Sequence, residues 1–199
     1  VGFVISKGFE AFEEIGHALE GLFNEKNFPF FQARNITQSY GVNKFRSKQP
    51  FAVSDSTVTF FLRQHMNARQ VTLAGSFNNW SPDELAMSKV DSGWITQIKL
   101  GPGKHFYKFI IDGSWTVVNE NELKENDGRG NINSVYFKPN VVLTLPGFDD
   151  AKKVFVAGSF NGWKDNEIQL VKTPGGWQVP MYLNEGTHRY KFIVDRKWI

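Results

Sequence analysis

The chain of 199 residues contains no cysteine. A disulfide-stapled scaffold and a thiolate metal site are therefore excluded. Charge of one sign is lacking too. Lys and Arg number 23 against 20 Asp and Glu, a formal net charge of +3, and the basic residues are scattered. Such a balance points away from nucleic acid as a partner. No apolar stretch reaches transmembrane length. The opening VGFVISKGFEAFEE has no basic n-region, and its apolar run is too short for a signal peptide. These features leave the compartment undetermined.

Motifs of catalysis are scarce. Of the four histidines, His17, His65, His105 and His188, none sits in a metal spacing such as HExxH. GxSxG, the Walker A loop and GxGxxG do not occur. The carboxylates that recur, Asp112/Asp195 and Glu84/Glu167, suit turns better than the acid–base pair of a glycosidase. No catalytic residue, metal site or cofactor is expected.

What the chain has in excess is aromatic surface, with 19 Phe and 6 Trp. That excess favours β-structure and leaves open stacking against flat ligands. It also has a repeat. AGSFNNW at 74–80 returns as AGSFNGW at 157–163, an offset of 83 residues. The same offset joins Gly93/Gly176, Trp94/Trp177, His105/His188, Tyr107/Tyr190, Lys108/Lys191, Phe109/Phe192, Asp112/Asp195 and Trp115/Trp198. Two copies of one domain explain so many matches without a gap.

Each copy reads as all-β. Short segments such as QVTLAG, WITQIKL and HFYKFIID alternate with Gly-containing turns, the pattern of a sandwich. In HFYKFIID, Tyr107, Phe109 and Ile111 share one face, expected to be core, and Lys108 takes the other. INSVYF (132–137) supplies a last strand to the first copy, and its counterpart would fall after Ile199. The natural chain is therefore expected to continue. Residues 8–23, GFEAFEEIGHALEGLF, predict one amphipathic helix that covers the first sandwich or remains from a preceding domain. The rival reading is a partner-docking or membrane-surface helix, whose acidic face disfavours anionic membranes. The expected domains are an N-terminal helix and aromatic-rich connector at 1–50, a first sandwich at 51–138 and a C-terminally incomplete second one at 139–199.

Trp80 ends a polar loop and Trp115 follows a DGS turn, with Lys108 on the strand between them. A sugar ring offers an apolar C–H face and a rim of hydroxyls. Two Trp flanking a Lys suit both, although the same indoles could equally be core side chains. Trp163, Lys191 and Trp198 repeat the set. Asn79 stands where the second copy has Gly162, so the first platform carries an extra side chain able to reach a hydroxyl. The first is therefore expected to be the better sugar binder.

GSFNNW, HFYKFIIDGSW and GNINSVYF, in that order, resemble carbohydrate-binding module family 48. This is the glycogen-binding domain of the AMP-activated protein kinase beta subunit, found also before the catalytic domains of glycogen branching enzymes and isoamylases. The resemblance implies two tandem immunoglobulin-like, early-set β-sandwiches that bind α-1,4-glucan through two Trp, a Lys and an Asn. Position by position these fall on Trp80, Lys108, Trp115 and Asn133, and in the second copy on Trp163, Lys191 and Trp198. Arg129 and Asn131 depart from the family's apolar residue and Thr. Early-set domains also dock against proteins, and the segment could be the binding portion of a larger glucan-processing enzyme. The expected partners are thus an α-glucan and, in the rival readings, a protein or an attached catalytic domain.

Overall fold

The computed structural model describes residues 30–31, 38–46 and 57–199. The expected helix at 8–23 lies outside them. The described residues divide into two compact units. One takes residues up to 141 together with 181–185, the other 142–180 and 186–199.

The first unit is built from β1 (Phe30–Phe31), β2 (Tyr40–Gly41), β3 (Thr57–Arg63), β4 (Val71–Gly75), β5 (Ser88–Val90), β6 (Gly93–Leu100), β7 (Gly103–Ile111), β8 (Ser114–Thr116), β9 (Lys124–Asn126) and β10 (Ile132–Lys138). One sheet centres on β6, with antiparallel β3 on one edge and β5 and parallel β1 on the other. The second sheet runs β4–β7–β10–β9, and β8 folds back on the end of β7. The sheets face each other across Phe60 of β3. Its ring lies 5.0 Å from Tyr107 of β7 and 5.6 Å from Tyr136 of β10. These two tyrosines are buried, and burial pushes the Tyr107 hydroxyl up to about 12. The face of Tyr107 and Phe109 is core, as alternation in a strand requires. The arrangement is a β-sandwich.

The second unit repeats most of this order. It has β11 (Val141–Pro146), β12 (Val154–Gly158), β13 (Ile168–Gln169), β14 (Val171–Thr173), β15 (Gly176–Leu183), β16 (Tyr190–Val194) and β17 (Lys197–Trp198). β11–β15–β14 make one sheet and β13–β12–β16–β17 the other. Among the described residues no strand lies beside β16 as β10 lies beside β7. Tyr190 accordingly stays 45% exposed, against 3% for its counterpart Tyr107.

Trp94 and Trp177 are core side chains. Each is about 5% exposed or less, and each indole N–H donates to a loop carbonyl, of His65 at 3.1 Å and of Phe148 at 3.0 Å. Buried indoles need such a partner. Among the described residues no helix is long and apolar enough to cross a membrane.

His105 is fully buried in β7, where Nε2 donates to the carbonyl of Gly101 at 2.9 Å. Burial disfavours its charged form and lowers its pKa below the ordinary 6.5. An unfolded chain would protonate this ring near pH 6.5 while the folded one does not. Stability therefore falls as pH drops below about 6.5 towards the lowered folded value, by at most about 1.4 kcal/mol per pH unit for this one proton. Urea midpoints measured between about pH 7 and pH 5 are expected to fall, and less so in His105→Gln, which cannot titrate there. Equal slopes in the two proteins would remove His105 as the cause.

Candidate functional site

The site begins at a strand end. β4 finishes at Gly75, and Ser76–Asn78 make one 3-10 turn. Phe77 is buried and packs against Phe60, with 6.0 Å between ring centroids. Asn78 is also buried, at 3% exposed. Its Oδ1 accepts from the Gly75 amide at 2.9 Å, and its Nδ2 donates to the carbonyls of Ser81 at 3.2 Å and Leu73 at 3.4 Å. Ser76 Oγ accepts from the Phe106 amide at 3.0 Å, which ties the turn to β7. The chain then passes through two left-handed residues, Asn79 at φ 53° and Trp80 at φ 61°. A bulky aromatic residue rarely holds that conformation, and such outliers concentrate at functional sites. The Trp80 amide closes the turn by donating to the Gly75 carbonyl at 2.9 Å.

The second indole arrives from the far end of β7. Asp112 takes φ 46°, and its Oδ1 accepts from the amides of Gln70 at 3.1 Å and Arg69 at 2.9 Å. Those hydrogen bonds, that of Gln70 foremost, hold its carboxyl below the usual range. The turn reverses the chain into β8, where Trp115 pairs with Ile110. Cross-strand partners share a face. Ile110 is only 4% exposed although it points away from the core, so Trp115 has an apolar seat. Trp115 itself is 47% exposed. Its ring lies 6.3 Å from that of Trp80 at an angle of 48°, a shallow aromatic cleft.

The second unit builds the same thing. Gly158, Ser159, Phe160 and Asn161 repeat the turn, with Asn161 Oδ1 accepting from the Gly158 amide at 3.0 Å. Gly162 and Trp163 both have φ 62°, and the Trp163 amide donates to the Gly158 carbonyl at 2.9 Å. Asp195, at φ 45°, accepts from the amides of Lys152 and Lys153, each at 3.0 Å. Trp198 pairs with Ile193, which is 3% exposed. The rings of Trp163 and Trp198 lie 6.3 Å apart at 45°. The change from DGSW to DRKW leaves the ring pair unaltered.

The remaining sequence candidates lie on the outward sides of the same sheets or in their turns. Lys108, half-buried, pairs with Ala74 on the face that carries Ile110 and Trp115. Lys191 holds the matching place opposite Ala157 and is exposed. Asn79 is exposed at the turn before Trp80. Asn133 lies on β10, one residue before the Ser134–Tyr107 pair and hence on the outward face, but it is only 4% exposed. The neighbouring loop is clasped by Asp127, which accepts from the Arg129 amide at 2.8 Å and from the Asn131 side chain at 2.8 Å. Arg129 is exposed. Two contributors escaped the sequence reading, Asn78/Asn161 and Ile110/Ile193. Both pairs are identical at the repeat offset, which was the available signal. Among the described residues no group of His, Cys, Asp and Glu could hold a metal ion.

The family described as the glycogen recognition site of AMP-activated protein kinase matches residues 58–143 and again 140–199. The 5'-AMP-activated protein kinase subunit beta-1 of Rattus norvegicus is 42% identical over 125 residues, which cover 62% of this chain and 42% of that one. The subunit beta-2 of Mus musculus is 39% identical over 62 residues, 31% of this chain and 21% of that one. Phosphoglucan phosphatase LSF1, chloroplastic, of Arabidopsis thaliana is 32% identical over 98 residues, 49% of this chain and 16% of that one. The chain thus spans less than half the length of each of these relatives. A solved maltogenic amylase from S. marinus aligns with 79% of this chain at 17% identity and a TM-score of 0.38.

Proposed function

The chain belongs to the glycogen-recognition family of AMP-activated protein kinase, and from that premise we propose that it binds α-1,4-linked glucan, without catalysis, at two tandem platforms. The observation that carries this reading is the pair of tilted indole clefts, each 6.3 Å between rings. Each is fixed by a left-handed Trp on one side and a seated Trp on the other. Two tilted faces suit the C–H surfaces of successive residues in a curved glucan. Lys108 and Lys191 reach ring hydroxyls from the same face. Asn79 adds a hydrogen bond in the first cleft. Asn133, with little accessible surface, takes a smaller share at the edge.

Titration of the full chain with a malto-oligosaccharide, followed by Trp fluorescence and by retention on amylose resin, tests the reading. Saturable binding at up to about millimolar sugar is expected, an affinity of roughly 4 kcal/mol or more. A folded protein that shows no response rejects it. Asn79→Gly sharpens the test, because Gly162 already occupies the same backbone conformation in the second unit. The variant removes one side chain and keeps the turn. Affinity at the first platform is expected to fall about three- to tenfold, the value of one hydrogen bond, with the unfolding midpoint little changed. Unchanged affinity would take Asn79 out of the site.

A protein partner is the second reading. The relatives are named as subunits of a kinase, and the exposed Arg129 suits a protein surface. Failure on amylose resin with retained folding favours it.

A further inference from the structure

The two platforms share their indoles but not their rims. At the first, the stretches 69–70, 81–84, 104–108 and 112–115 hold three cations and three carboxylates. At the matching 152–153, 164–167, 187–191 and 195–198, seven cations meet three carboxylates. The substitutions fall next to the rings. Ser81, which follows Trp80, becomes Lys164 after Trp163. Gly113, in the turn that delivers Trp115, becomes Arg196 at φ 72°. Phe106, on the outward face with Lys108, becomes Arg189 beside Lys191. Lys164, Arg189, Lys191 and Arg196 are all exposed.

Their placement is fixed by the backbone. Arg189 is held against the indole-bearing turn, with Ser159 donating to its carbonyl at 2.8 Å and Ser159 Oγ accepting from its amide at 3.2 Å. Asp195 binds the amides of Lys152 and Lys153, so two further lysines sit at the turn that carries Arg196. Cations therefore flank the cleft from the Trp163 turn, from β16 and from the Trp198 turn.

We infer that the second platform, given the glucan reading on which this rests, takes a glucan that carries phosphate monoesters. An unmodified glucan is neutral and gains little from a cationic rim beyond single hydrogen bonds, while the like charges repel one another. A phosphate monoester carries a charge of about −1.5 to −2 at neutral pH and three acceptor oxygens. On a chain whose sugar rings stack in the cleft, such a group comes within reach of cations on any of the three sides. The first platform, with balanced charge, is the built-in neutral comparison.

The test uses the full chain with Trp80→Ala and Trp115→Ala, so that the second platform reports alone. Maltoheptaose and the same sugar bearing one phosphate are titrated at about 0.05 M and about 0.5 M salt. The phosphorylated sugar is expected to bind about tenfold tighter at low salt and within about twofold at high salt, since exposed charges are screened. Lys164→Ser with Arg196→Gly, the residues of the first copy, is expected to remove most of that ratio. The ratio is read within each variant, so a general loss of affinity does not mimic the effect. Equal affinities at low salt overturn the inference, as does a ratio that survives the two substitutions. So does equally tight binding of a single-stranded oligonucleotide, which would make the rim a general anion surface. Failure of the neutral sugar to bind the parent chain instead overturns the glucan reading itself.

Discussion

Trp115→Ala is expected to weaken the proposed glucan binding at the first platform by about thirtyfold. The indole is 47% exposed, lies on the nearly buried Ile110 and forms one wall of the cleft with Trp80. Truncating an aromatic anchor of this kind costs about 2 kcal/mol of binding free energy. Its cost to folding is smaller, because the outer half of the ring already faces water. The measurement is calorimetric titration in a Trp163→Ala/Trp198→Ala background, so that the second platform is silent. Trp115→Phe keeps part of the stacking surface and should fall between the two. An unchanged affinity in Trp115→Ala, with binding otherwise intact, would remove this indole from the site.

Gly75→Ala is expected to destabilise the first unit by about 3 kcal/mol, near the upper end for overpacking a tight site. Gly75 has an ordinary extended backbone at φ −169°, so conformational freedom is not the reason. The reason is space. An added methyl would lie 2.3 Å from the Phe106 carbonyl oxygen and 2.6 Å from the Phe77 ring. Neither can retreat easily, because Phe77 is core and the Phe106 carbonyl belongs to β7. Gly158→Ala meets the same obstacle, 2.4 Å from the Arg189 carbonyl oxygen and 2.7 Å from Phe160. Urea unfolding followed at each unit's own tryptophans reads both variants. A parental midpoint for Gly75→Ala would mean that the turn shifts without cost.

Much of this architecture was legible in the residues. The offset of 83 declared the duplication, and alternation in HFYKFIID sorted Tyr107 and Phe109 from Lys108. The longer strands follow the expected segments closely, because turns containing Gly or Asp bound most of them. Periodicity says which side a residue faces, and it does not say what lies over that side. Ile110 shows the limit. It points outward with Lys108 yet is buried, because β8 folds Trp115 across it. Asn133 points outward too and is nearly closed off. The clearest miss is Asn78. The one letter that differs between the loops, Asn79 against Gly162, stands out in the sequence, while the shared Asn beside it organises the turn. A buried amide that satisfies three backbone groups leaves no trace in hydropathy.

That Asn has a consequence for how such a loop can vary. In each copy the amide of Asn78 or Asn161, the aromatic plug of Phe77 or Phe160 and the bare Gly75 or Gly158 point inward and carry the shape. The residues around the indoles, Ser81 against Lys164 and Gly113 against Arg196, take no part in holding it through their side chains. Framework and these rim positions are thus written in different letters, although Glu167 of the second rim also accepts from the Asn161 side chain at 3.2 Å. A duplicated copy can change its outer letters one at a time, acquiring a new ligand chemistry while the geometry that aims its two indoles stays the same.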